Sequence, residues 1–209
     1  MGTTHLESKM ADKAMEKDYG AFKDKSSKQK GLLSECLATY KYLLRTRPVL
    51  TKSVTCAVTS GLGQLISQKL RGTSDGKGLN FRSIAAFSTF GFAITGPFVH
   101  YFYQALEHFI PKGTSHATIK KLALDRIIFS PIFYALFFYV ITLLEGQSSK
   151  AAVKKVQDNF WTAFKMSLKI WTLFQYVNFN YIPLEYRLLF ANLFALGWNV
   201  YMATKNAGK

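Results

Sequence analysis

Five stretches of this sequence carry no Lys, Arg, Asp or Glu: residues 53–68, 83–106, 127–144, 170–184 and 188–204, with lengths of 16, 24, 18, 15 and 17. Basic residues fill the gaps between them. A helix needs about 20 mostly apolar residues to cross the roughly 30 Å hydrocarbon core of a bilayer, and Lys or Arg at its ends extends the reach by snorkelling. Four spans are expected on this basis, at about 51–70, 84–105, 122–144 and 186–204. A soluble bundle of buried helices is the alternative. Against it stands the run Phe129 to Tyr139 (FSPIFYALFFY), too aromatic and too free of charge for an amphipathic surface helix.

Charge balance agrees with a membrane chain. Of 209 residues 19% are charged, against roughly 25% in soluble proteins, and the deficit is acidic: 27 basic residues face 12 acidic ones, a net charge of +15. The 18 Phe, 11 Tyr and 3 Trp exclude disorder for most of the chain, and 2 Cys cannot make a disulfide framework. Such basicity often marks a nucleic-acid binder, but here the lysines are spread over loops between hydrophobic blocks. Membrane lipid with anionic headgroups is the expected partner, and no nucleic acid.

Residues 1–35 interleave lysines with acids and contain no apolar signal region; six acids precede the first arginine, Arg45, which also argues against a mitochondrial presequence. They read as a solvated, partly disordered tail, followed by a single integral-membrane helical domain over 36–209. Within 32–47, Leu33, Leu37, Tyr40 and Leu44 recur at helical spacing, as in an interfacial helix.

The first expected span is unusually polar. Ser53, Cys56, Ser60, Gly63 and Ser67 follow one another at intervals of 3, 4, 3 and 4, which gathers small and polar atoms into one seam. Such a seam serves close helix packing or the lining of a hydrated path; Ser53, Ser60, Gln64 and Ser67 are the candidate lining residues. In the second span Gly96 and Pro97 predict a kink, and His100, Gln104, Glu107 and His108 share a face better suited to headgroups or neighbouring helices than to a metal. At the third, Lys121 and Asp125 stand one turn apart and can pair, with Arg126 beside them. Pro131 then frees a carbonyl that neighbouring helices must satisfy.

Residues 151–181 form an amphipathic helix on the wheel. At 100° per residue, Lys154, Lys155, Asp158, Thr162, Lys165, Lys169, Thr172 and Tyr176 fall within a sector about 100° wide, with Phe160, Phe164, Leu168, Trp171 and Phe174 on the other side. Such a helix either lies in the interface with its lysines toward headgroups or stands in the membrane with a cationic face turned to water. In the second case Asp158, Thr162, Lys165 and Lys169 line a path favouring small anions. Pro183 and Glu185 suit the opening of the last span, with Arg187 beside them, and Trp198 and Tyr201 approach its far interface.

No metalloprotease, Cys-x-x-Cys, phosphate-loop or nucleophile-elbow motif occurs, and Cys36 and Cys56 are isolated. The expectation is a chain that is not an enzyme and needs no cofactor or metal.

Five ordered motifs carry a resemblance. They are Arg47 to Lys52 (RPVLTK) with Thr59, Ser60 and Gly61; Thr95, Gly96 and Pro97 with His100, Phe102 and Tyr103; Leu124, Asp125 and Arg126 with Pro131; Trp171 and Gln175 with Asn178 to Pro183 (NFNYIP) and Arg187; and Trp198 to Tyr201 (WNVY). From about Tyr40 onward the chain resembles the peroxisomal and mitochondrial membrane protein family that includes the 22-kilodalton peroxisomal membrane protein. The resemblance implies four spans in the peroxisomal membrane, both termini cytosolic, a channel-like role in passive permeability to small metabolites, and recognition by a peroxisomal membrane-protein import receptor. It also marks Gly96, Pro97, Asp125, Arg126, Pro183 and Arg187 as structural positions. Two departures matter. Where much of the family has Gly-Asp this chain has Gly63-Gln64, so no proton or cation role of that carboxylate transfers, and where it has Trp-Pro this chain has Trp171-Thr172.

The expected fold is an all-α polytopic membrane helical bundle of four transmembrane helices, plus an amphipathic N-terminal helix and an amphipathic helix before the last span. The expected function is a pore for small water-soluble solutes, built as a homo-oligomer. A non-conducting membrane scaffold and a gated carrier are the alternatives.

Overall fold

Local chemistry sets the helix boundaries. A computed structural model describes residues 34–75, 78–111 and 113–207, without the side chains of 71–75 and 198–207. Residues 34–46 form helix α1, which belongs to a first unit ending at Thr46; Arg47 begins the second unit, described from here on. The expected tail over 1–35 lies outside the described residues apart from Ser34 and Glu35, where α1 begins.

Pro48 opens α2 (Pro48–Asp75) at the first helical position, where its missing N–H is not needed. Asn80 caps α3 (Phe81–Phe90) by accepting the Ser83 N–H at 3.0 Å. A π turn, Gly91–Thr95, joins α3 without a break to α4 (Gly96–Phe109). The next rod repeats the device: α5 (Ala117–Leu124), a π turn over Asp125–Phe129, then α6 (Ser130–Leu144). Gly146, at φ 83°, ends α6. The Gly146 and Gln147 N–H groups turn back to the Leu143 and Thr142 carbonyls, the paired bonds of a Schellman stop. Ser148 then caps α7 (Ser149–Tyr181), and α8 spans Arg187–Ala207. Every regular element among the described residues is helical.

Both π turns stand directly before a proline. Pro97 and Pro131 are each the second residue of the helix that follows, and neither can donate to the preceding turn. The chain accommodates them by widening: the Gly96 N–H reaches back five residues to the Gly91 carbonyl, and the Ser130 N–H to that of Asp125. The two widened regions also touch, with Phe98 and Phe102 stacked on Phe129 at 5.1 and 4.4 Å between ring centroids.

Five rods surround a common interior. The second rod (α3–α4) returns along α2, and the third (α5–α6) packs against α3 and α7. α7 runs antiparallel along the whole third rod: Tyr139 bonds Ser149 at 2.9 Å, Arg126 bonds Ser167 at 3.2 Å, and Thr118 bonds Asn180 at 2.6 Å. α8 closes the ring against α2, where Asn192 donates to the Cys56 sulfur at 3.2 Å.

The small-residue seam of α2 meets small residues on the second rod. A Cβ on Gly96 would lie 2.5 Å from the Ser53 Cα, one on Gly91 2.6 Å from the Cys56 carbonyl oxygen, and one on Gly61 2.3 Å from the Ser88 hydroxyl. Close packing of this kind is what small seams permit.

Among the described residues one helix, Ala117–Leu144, is long and apolar enough to cross a membrane, and Arg187–Gly197 forms a shorter apolar stretch. Serines, threonines and glutamines on α2, and the Gly-Pro and His-Tyr steps of the second rod, lower their hydropathy. The amphipathic helix before the last span, α7, is a full member of the bundle. At 33 residues it is about 50 Å long.

Candidate functional site

Polar side chains converge on the interior from all five rods. Asp125, fully buried on the third rod, takes the guanidinium of its neighbour Arg126 through Nε at 2.9 Å and through Nη2. Gln175 of α7 donates to the other Asp125 oxygen at 3.2 Å and to the Tyr103 hydroxyl at 3.1 Å. Asn178, one turn further along α7 and fully buried, donates to Gln175 at 2.8 Å. Its side-chain amide oxygen has no hydrogen-bond partner among the described residues.

A second cluster lies near the C-terminal end of α4. Lys121 and Arg187 both donate to Glu107 Oε2, at 2.6 and 3.0 Å, and Arg187, fully buried, also caps α7 by donating to the Phe179 and Ile182 carbonyls. Glu107 thus holds α4, α5 and α8 together. Burial alone would raise the Glu107 carboxyl, but the Lys121 and Arg187 bonds outweigh it and hold its pKa below the ordinary 4.5. A carboxylate depressed in this way stabilises the fold at neutral pH, and the contribution is lost as pH falls through its folded-state value. Thermal stability in detergent is expected to fall as pH drops below about 4.5, while Glu107→Gln lowers the neutral-pH Tm and flattens that dependence.

Between the rods lies a cavity of about 400 Å³. Its wall is largely aromatic, with Phe90, Phe129, Phe133, Phe137 and Trp171, and it carries polar groups from Ser60, Tyr103, Arg126, Ser167 and Gln175.

The expected site residues separate into three groups. Ser60 lines the cavity. Ser53 is buried against Gly96, Gln64 donates to the Ser83 hydroxyl at 2.9 Å, which donates to Glu145 at 2.6 Å, and Ser67 is half-buried. Asp158, Thr162, Lys165 and Lys169 are exposed along α7, on the side opposite the buried Ser167, Phe174 and Asn178. They do not line the cavity. Since Ser149 and Ser167 lie beside Tyr139 and Arg126, this polar face runs at the level of the middle of Ala117–Leu144.

Of the structural positions, Gly96, Pro97, Asp125, Arg126 and Arg187 occupy the contacts just described. Pro183 sits in the turn between α7 and α8 and does not open the last helix, which starts at Arg187. Lys121 pairs with Glu107 and not with Asp125, because Arg126 already occupies that carboxylate. His100 accepts from Lys52 in a buried contact at 3.1 Å. The network role of Gln175 and Asn178 was concealed from periodicity; the available signal was two amides three residues apart on the face away from the lysines.

Residues 142–203 match the Mpv17/PMP22 family. The chain is similar to peroxisomal membrane protein 2 of Bos taurus, with 42% identity over 80% of this chain and 88% of that protein. It is 36% identical to PXMP2/4 family protein 4 of Dictyostelium discoideum, over 82% of this chain and 94% of that one. With the mitochondrial inner membrane protein Mpv17 of Danio rerio it shares 30% identity, over 80% and 94%. No solved structure matches.

Proposed function

The chain belongs to the Mpv17/PMP22 family of membrane proteins, and from that premise we propose that it forms a pore for small water-soluble metabolites in the peroxisomal membrane. In this reading the four expected spans cross the bilayer with α7 standing among them, and several copies of the chain assemble side by side. The name of the bovine relative supports the location. A peroxisomal membrane-protein import receptor is the partner that location requires.

The observation that carries the reading is the outer face of α7. Asp158, Lys165 and Lys169 are exposed beside the middle of Ala117–Leu144, the helix best suited to a bilayer. A charge facing hydrocarbon at that depth costs about 2.5–3.5 kcal/mol, so the face calls for water. Other exterior positions suit lipid, as with Val54, Val58 and Leu62 on α2 and Ile127, Ile128 and Ile132 on the third rod. Packing this face dry against a second copy would bring lysines together, whereas a hydrated lumen between copies accommodates them.

Purified protein in liposomes tests the proposal. Flux of small solutes above that of empty vesicles is expected, and its absence removes the pore. Replacing Lys165 and Lys169 together by Gln is expected to shift ion permeability severalfold from anions toward cations; unchanged selectivity would take these residues out of the path. Deleting residues 1–35 is expected to leave flux intact, since loss of all activity on that deletion is the outcome a recruiting scaffold gives. Saturable flux would replace the pore by a carrier.

A further inference from the structure

Arg126 is the one charged residue among those lining the interior cavity. A guanidinium has five N–H donors. Nε and Nη2 each give one to Asp125, and Nη1 gives one to Ser167 at 3.2 Å. One N–H on each of Nη1 and Nη2 is left without a partner among the described residues. A carboxylate can take one N–H from each of the two terminal nitrogens, the forked pairing in which a guanidinium is most selective.

The charge balance of the interior favours an added anion. Lys52, Lys121 and Arg187 are buried and Arg126 half-buried, against buried Asp125 and half-buried Glu107 and Glu145, an excess of one positive charge among the described residues. Tyr103, Ser130, Ser167 and Gln175 add polar atoms to the cavity wall, and Phe129, Phe133, Phe137 and Trp171 make much of the rest apolar and flat. A volume of about 400 Å³ lies within the range of small-molecule sites.

We propose that this cavity binds a small organic carboxylate with a flat, apolar body, its carboxylate on the free edge of Arg126 and its body against the aromatic wall. The site lies inside one chain, away from the α7 face, and stands independently of the pore. A carboxylate of this kind comes either from a water-soluble solute or from a fatty acid of the membrane; the volume of about 400 Å³ favours the solute.

Trp171 in the cavity wall supplies the readout. In the full chain with Trp161 and Trp198 replaced by Phe, purified in detergent, benzoate is expected to change Trp171 fluorescence saturably, while benzamide, of the same shape but uncharged, produces no saturable change at equal concentration. Arg126→Lys, which keeps the charge near Asp125 but loses the fork, is expected to weaken benzoate binding roughly ten- to a hundredfold. No saturable benzoate response, or an equal response to benzamide, in this folded Trp171-only protein overturns the proposal before Arg126 is replaced. Saturation by myristate but not benzoate also overturns it, assigning the cavity to lipid. Because binding is read without a membrane, loss of flux with benzoate binding retained removes the pore and leaves this site in place.

Discussion

Replacing Asp125 by Ala is expected to cost about 3–5 kcal/mol of stability, the range for removing one partner of a buried ion pair. The carboxylate is fully enclosed and accepts from two directions, Arg126 on one oxygen and Gln175 on the other. Removing it leaves an enclosed guanidinium without its counter-charge and frees the Gln175 amide that ties α7 to the third rod. The carbonyl of the same residue receives the Ser130 N–H that closes the π turn, so the side chain and the helix widening act at one point. Urea or thermal unfolding in detergent measures the loss. Arg126→Met added to Asp125→Leu is expected to restore much of it, because an apolar pair of similar volume needs no counter-charge. Equal instability of the single and double variants would show that the pair's value lies in its tertiary bonds to Gln175 and Ser167 and not in charge compensation.

The partners of that network show where the sequence stopped being informative. Charge depletion placed four rods: 51–70 falls within α2, 84–105 and 122–144 within the second and third rods, and 186–204 within α8 but for its first residue, while the amphipathic wheel placed 151–181 within α7. Those boundaries are local, set by prolines, caps and the depletion of charge. Partner choice is not local. Helical spacing offered Asp125 to Lys121 one turn away, yet the lysine reaches Glu107, 14 residues earlier, and Arg187 reaches the same carboxylate across 80 residues. The wheel likewise divided α7 into cationic and aromatic sides, but its position beside the third rod depends on Ser149, Ser167 and Asn180, which no periodicity singles out. The cavity escaped for the same reason, being a gap left among five rods and not a property of any one of them.

Gly91→Ala is expected to destabilise the bundle by about 3 kcal/mol, the upper part of the usual overpacking range, although it adds a single methyl group to a helix. The added carbon would sit 2.6 Å from the Cys56 carbonyl oxygen, 2.8 Å from its carbonyl carbon and 3.0 Å from the Ala57 nitrogen, all backbone atoms. No side chain can turn aside there, so α2 must move away from the second rod, and the Ser53–Gly96 contact one turn and a half further along opens with it. Gly61→Ala provides the contrast, because its closest neighbour is the Ser88 hydroxyl at 2.3 Å, the end of a rotatable side chain. In a helix interior alanine is favoured over glycine by up to about 1 kcal/mol, so Gly61→Ala is expected to be close to neutral, and Ser88→Ala to make it stabilising. No side-chain replacement on α2 is expected to rescue Gly91→Ala in the same way. Parallel thermal unfolding of the two variants decides the matter: similar losses for both would mean that α2 and the second rod do not approach as closely as these contacts require.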